Sequence, residues 1–526
     1  MVTTLYRHRT MHLLDGRRST AEAMLVSDGV IVAIGRAEEV ADAAPVGTAV
    51  CDLPGEAVIP GFHDAHIHTA SLARSLDALD LRGIDSAHEA EERIRQYLTT
   101  HPGSGWLTGG RWDANRWADG SPTRDALDRI APDRPLCLSS VDGHSVWANS
   151  EALRRLGMDA ASGDPAGGRI ERDAAGEPNG ILRETAADAM IERAERESPV
   201  DLVALLDLAQ SQLLSEGVTH VTDLDGEDAR AAFLRLKENG LLRVRVHKGT
   251  PAQALDLALA EGRRTGDGDA WFTNGPVKLF SDGALGSHTA HMGADFAGEP
   301  GNHGIEVLDG AELSLLVDRA VSGGIAVATH AIGDLANRIV LDAYERAHDA
   351  AVRAGLRLRI EHAQHLQLAD VTRFARLGVI ASQQPTHWES DLPLVSSLLR
   401  GRELAGYAWS ALRDAGAVVA FGSDAPVEPS APMLGIRAAV LRGTKDSPGG
   451  AETGVRPLGV EEALAAYTAG PAYAAGLDRS VGRLAVGMRA DFVALDRDPF
   501  SVEPAALGDI RPVATVVDGL AAFGLG

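Results

Sequence analysis

Residues 61–68 read GFHDAHIH, and four later segments place metal-competent side chains around short apolar runs in the same way: VKLFSDG (277–283), ATHAIGD (328–334), RIEHAQH (359–365) and FGSDAP (421–426). The candidates are His66, His68, Lys278, His330, His362 and Asp424. Each lies at the end of a run that reads as a β-strand. All six would therefore project from strand ends toward one point, as the C-terminal face of a (β/α)8 TIM barrel requires.

Working outward, eight apolar runs of four to six residues alternate with helical stretches: AVIPGF (57–62), GVTHVTDL (217–224), LRVRVHKG (242–249), GPVKLF (275–280), GIAVATH (324–330), RLRIEH (357–362), GVIASQQP (378–385) and AVVAFGSD (417–424). Runs without strict alternation suit parallel strands buried on both faces. After His330, Ala336, Ile339, Val340, Ala343, Tyr344 and Ala347 recur at helical spacing and predict an amphipathic helix against the barrel. The first two runs are too far apart for a simple crossover. Residues 85–195, with GWLTGG (105–110), PLCLSSVD (135–142) and the Gly/Pro-rich stretch 162–180, are read as an insertion near the active-site face. Near the two termini, AMLVSDGVIVAIG (23–35) and VATVVDGLAAF (513–523) each place an Asp-Gly turn between β-branched runs. Residues 1–60 and 480–526 are therefore expected to form one small β domain, leaving 61–84 and 196–479 for the barrel.

At 526 residues and 45% hydrophobic composition the chain can bury a core larger than one barrel. A net charge of −24 disfavours nucleic acid and anionic membrane as partners and leaves a small molecule as the expected one. Two cysteines, Cys51 and Cys137, make no disulfide framework. No signal-peptide core or membrane span is legible, so a cytoplasmic protein is expected, in a form compatible with a homo-oligomer.

His66 and His68 stand at i and i+2 of an extended segment, so both imidazoles reach one metal. That pattern is weak alone, as are His330 and His362 taken singly, since a strand-end histidine is commonly a hydrogen-bonded core residue. Lys278, inside an apolar run, must snorkel, pair with an acid such as Asp282 or change chemically. Carboxylation by CO2 gives an anionic carbamate that bridges two cations. Asp424 can offer one oxygen to a metal and keep one as a proton acceptor, with a capping or turn role before Pro426 as the competing reading. The insertion holds Trp106, Trp112, Trp117 and Trp147, of which Trp112 is a candidate substrate contact with His144 and His387. Core packing is the competing reading for the tryptophans.

These segments, together with VDGHSVWANS (141–150), SQQPTHWESD (382–391) and LGVEEALAAYTAGPAYA (458–474), resemble the amidohydrolase superfamily over nearly the whole chain. Within it they resemble amidohydrolase family 3, the branch of N-substituted formamide deformylase-like and AepA-like proteins. The resemblance implies a barrel with a β-sandwich built from both termini and a centre of one or two divalent metals, with zinc the default. It further implies His66, His68, Lys278, His330, His362 and Asp424 as ligands, and attack of a metal-activated hydroxide on an amide-type, non-peptide carbon–nitrogen bond, with Asp424 as the proton shuttle. Two alternatives remain open: a mononuclear deaminase-like hydrolase of a cyclic amidine or nucleobase, and a non-catalytic regulatory protein on the same fold.

Overall fold

The computed structural model describes residues 2–76, 78–118, 120–198, 200–443 and 455–525. Eight parallel strands form the central sheet, hydrogen-bonded in chain order. They are β1 (Phe62–Ile67), β2 (Val218–Asp223), β3 (Arg245–Pro251), β4 (Phe272–Phe280), β5 (Val327–Ala331), β6 (Arg359–His362), β7 (Ile380–Gln383) and β8 (Val419–Phe421). Just past β8 the chain turns back onto β1 and brings the ring together. Asp424 N donates to His66 O at 2.8 Å and His68 N to Ala425 O at 2.9 Å. Asp64 accepts from Ser423 N at 3.0 Å and from Ser423 Oγ at 2.5 Å. The helix after β5, Asp334–Ala354, buries Ala336, Val340, Ala343, Tyr344 and Ala347 along the predicted stripe and ends on Gly355 at φ +68°.

The first expected strand, AVIPGF, lies elsewhere. Ala57–Pro60 pairs antiparallel with Phe492–Leu495 in a sheet outside the barrel, and the barrel strand is the following FHDAHI. Gly61 is the crossing point, because a Cβ there would fall 2.4 Å from the Thr219 side chain. The apolar signal belonged to one sheet and the polar, fully buried His63-Asp64-Ala65-His66 to the other.

That outer sheet has eight strands, all drawn from residues 3–60 and 492–523. Both Asp-Gly turns form two-residue hairpins, with Asp28 at φ +47° and Asp518 at φ +54°. The sheet meets the barrel at the N-terminal end of β3. There Arg245 holds Asp491 with Nε–Oδ2 2.8 Å and Nη2–Oδ1 3.1 Å, and reaches Asp518 at 2.7 Å.

Between β1 and β2 a six-stranded sheet spans residues 79–184. Strands Leu79–Asp80, Leu107–Trp112 and Leu136–Ser140 run parallel, and the Gly/Pro-rich stretch supplies part of the hairpin Gly168–Arg172 with Pro178–Glu184. Arg183 Nη1 donates to Ser287 O at 2.7 Å and Asn115 Nδ2 to Gly286 O at 3.0 Å, which docks this sheet on the loop after β4. No helix among the described residues is long and apolar enough to cross a membrane.

Arg245 and Asp491 are nearly fully buried, so Arg245→Ala leaves an uncompensated carboxylate and is expected to cost about 3–5 kcal/mol. A clear fall in the thermal unfolding midpoint is the expected result; an unchanged midpoint contradicts the clamp.

Candidate active site

The C-terminal ends of β1, β5 and β6, with the turn after β8, bring four histidines and Asp424 together. His66 Nε2 lies 3.2 Å and His68 Nε2 3.5 Å from Asp424 Oδ1. One ligand atom each of His66, His362 and Asp424 falls within 4.8 Å of the others. The His362 ring is 4.9 Å from that of His66 and 4.4 Å from that of His330. His330 Nε2 is 3.0 Å from Gly283 O, so that nitrogen carries the proton and Nδ1 keeps the lone pair. His362 at φ +70° and Asp424 at φ +59° occupy the left-handed region, strain that clusters at functional sites.

Two carboxylates orient the first pair of imidazoles. Glu361 Oε2 accepts from His66 Nδ1 at 2.6 Å, and Asp225 Oδ1 from His68 Nδ1 at 3.1 Å. Each acceptor fixes the proton on Nδ1 and turns the Nε2 lone pair toward Asp424, as outer partners of metal-binding histidines do. Glu361 is in turn paired with Arg359, whose Nη2 lies 2.9 Å from Oε2 and also donates to Ser382 Oγ at 2.7 Å. Asp225 accepts from Ala70 N at 2.6 Å in the first turn of helix Thr69–Ser75. Neither acid was singled out from sequence. The available signal was Arg359 and Glu361 at i and i+2 of one buried strand, opposite charges on a shared face.

Lys278 does not pair with Asp282. The Asp282 carboxylate is taken by three backbone donors, Gly333 N at 2.7 Å, His291 N at 2.9 Å and Ile332 N at 3.0 Å. Lys278 Nζ is buried without a hydrogen-bond partner, 4.7 Å from the Phe280 ring centroid. Burial pushes its pKa down to about 8, against the charges of Glu361 and Asp424. Burial first, then neighbouring charges, holds His330 and His362 well below the usual histidine range, which keeps them neutral. Burial opposes ionisation of Asp424, but His66, His387 and His68 outweigh it and hold its carboxyl well below the ordinary value.

His66 Nε2, His362 Nδ1 and Lys278 Nζ are all buried and unpartnered. The His66 and His362 imidazoles beside an ionised carboxylate suit a divalent cation, which satisfies groups that burial would otherwise penalise.

Of the candidate substrate contacts, two border this cluster. His387 Nε2 lies 3.6 Å from Asp424 Oδ2, and the His144 ring is 5.1 Å from that of His330, with its Nδ1 2.8 Å from Glu184. Trp112 is a correction. Its Nε1 donates to Leu138 O at 2.7 Å, and its ring sits in the insertion core with Trp117 and Trp147. An indole that has spent both its ring and its donor inside the insertion does not line the site.

Residues 49–522 match the model of the amidohydrolase family. The chain is 34% identical over 521 residues to YtcJ of Bacillus subtilis (strain 168), covering 96% of each. It is 31% identical over 541 residues to the N-substituted formamide deformylase of Arthrobacter pascens, again covering 96% of each. The structure of an uncharacterized metal-dependent hydrolase from Pyrococcus horikoshii superimposes with a TM-score of 0.79 at 28% identity, covering 95% of this chain and 99% of that one. The chain belongs to the amidohydrolase family and is a hydrolase of carbon–nitrogen bonds.

Proposed function

We propose that the chain hydrolyses an N-substituted amide or formamide with a divalent metal, zinc by the imidazole-rich character of the ligands. The observation that carries this is the gathering of His66, His362 and Asp424, with the Lys278 amine buried and unpartnered. Likeness to the formamide deformylase supports the choice of substrate class. In this reading residues 1–60 and 480–526 form a β-sandwich module, 61–84 and 196–479 the catalytic barrel, and 85–195 the insertion that borders the substrate.

His66, His68, His330, His362 and Asp424 would hold the metal, and Lys278, carboxylated by CO2, would add a bridging anion where two cations bind. A bound divalent cation supplies Lewis acidity, lowering the pKa of water toward neutrality and polarising the scissile carbonyl. Glu361 and Asp225 keep the His66 and His68 rings aimed, so little reorganisation is left for the moment of reaction. The Asp424 oxygen that faces His387 takes the proton released on attack and delivers it to the departing amine. His144, steadied by Glu184 and set against the His330 ring, binds the substrate there.

Asp424→Asn is expected to fold normally, by circular dichroism, and to lower kcat on an amide and formamide panel by roughly 10²–10⁴-fold. Unchanged turnover rules out the shuttle. Lys278→Ala is expected to lose bound metal, read by elemental analysis, with partial recovery on adding short-chain carboxylic acids. Full occupancy in that variant contradicts the carbamate.

A further inference from the structure

On the insertion strand Leu107–Trp112, Arg111 is a bulged residue. The ladder to the neighbouring strand slips between Gly110, opposite Ser139, and Trp112, opposite Ser140, leaving Arg111 between them. Its φ is +62°, a conformation that costs an arginine and suits glycine. The two residues before it are glycines, and a Cβ on either would come within 2.6 Å of backbone, at Leu79 O for Gly109 and Ser139 O for Gly110. Bulges next to active sites commonly re-aim a side chain.

The re-aimed guanidinium is unspent. Arg111 Nε is buried with no hydrogen-bond partner, and the group has no ion pair among the described residues. The near acid, Asp80, is occupied by Arg82 at 2.6 Å, so a second guanidinium stands beside Arg111 with its own counter-ion already taken. Burial, then the Arg82 charge, lowers the Arg111 pKa to about 10, which leaves it charged at neutral pH. Asp80 and then Glu428, which accepts from Ser390 Oγ, oppose that lowering only in part. The same edge of the insertion sheet places Asn115 on Gly286 and His144 against His330. Arg111 thus lies at the end of the insertion strand from which Asn115 reaches the loop after β4.

We propose that Arg111 binds a carboxylate on the substrate, remote from the scissile amide. A planar guanidinium with free donors matches a carboxylate through two parallel hydrogen bonds, which a neutral group at that place cannot return. The role of the carboxylate as part of a substrate rests on the amidase reading; the binding preference does not.

The test is calorimetric titration of the full-length, metal-loaded protein with 4-aminobenzoate and with aniline, which lacks the carboxylate. Wild type is expected to bind the carboxylate about 10–100-fold more tightly. Arg111→Gly relieves the left-handed strain and should fold at least as well, with the ratio collapsing to about one; Arg111→Lys, which keeps the charge without the fork, should fall between. Equal affinities in wild type, no binding of 4-aminobenzoate, or a preference that survives in Arg111→Gly overturns the assignment. Hydrolysis of 4-acetamidobenzoate is followed separately. A carboxylate preference without turnover would leave Arg111 assigned and count against the amidase reading instead.

Discussion

The site depends on one buried carboxylate, that of Glu361. It accepts from His66 Nδ1 at 2.6 Å while Arg359 neutralises it from the other side. A lone carboxylate there would protonate, since the cost of burying it charged is several kcal/mol. With Arg359 in place its pKa is instead held well below the usual range, against the opposing effect of burial. The charge is what fixes the His66 tautomer, and the tautomer is what leaves Nε2 as a lone pair facing Asp424. Closure of the ring past β8 has the same consequence by another route, because Asp64 ties Ser423 to β1 and the Asp424 backbone hydrogen-bonds to that of His66.

The barrel separates this chemistry from its anchoring. Arg245, Asp491 and Asp518 join the N-terminal end of β3 to the outer sheet, whereas the histidines and Asp424 sit at the opposite strand ends. Strain at His362 and Asp424 is carried by a scaffold braced elsewhere, the usual division of labour in this architecture. The insertion reaches the histidine cluster through His144, whose ring lies 5.1 Å from that of His330.

Much of this was legible before the structure, where the physics is local. Seven barrel strands coincide with apolar runs because parallel strands buried on both faces need them. The first did not, since β1 fills its buried positions with His63, Asp64 and His66, and the apolar run preceding it belongs to another sheet. The gathering of His66, His68, His330, His362 and Asp424 followed from placing polar, metal-competent side chains at strand ends, a rule of topology rather than of any single residue. Partner choice was not legible. Asp282 is near Lys278 in sequence, but the turn after β5 claims its carboxylate with backbone donors. Glu361 and Asp225 look like ordinary acids until folding sets them beside imidazoles that are distant in the chain. Trp112 carried the composition of a binding residue and the contacts of a core one.

X-ray absorption at the metal edge of the purified protein, combined with anomalous diffraction, tests the central claim most directly. The account predicts a divalent metal with imidazole nitrogens at about 2.0–2.1 Å, seated between His66, His362 and Asp424. A metal bound elsewhere, or one surrounded by oxygen ligands alone, would contradict it.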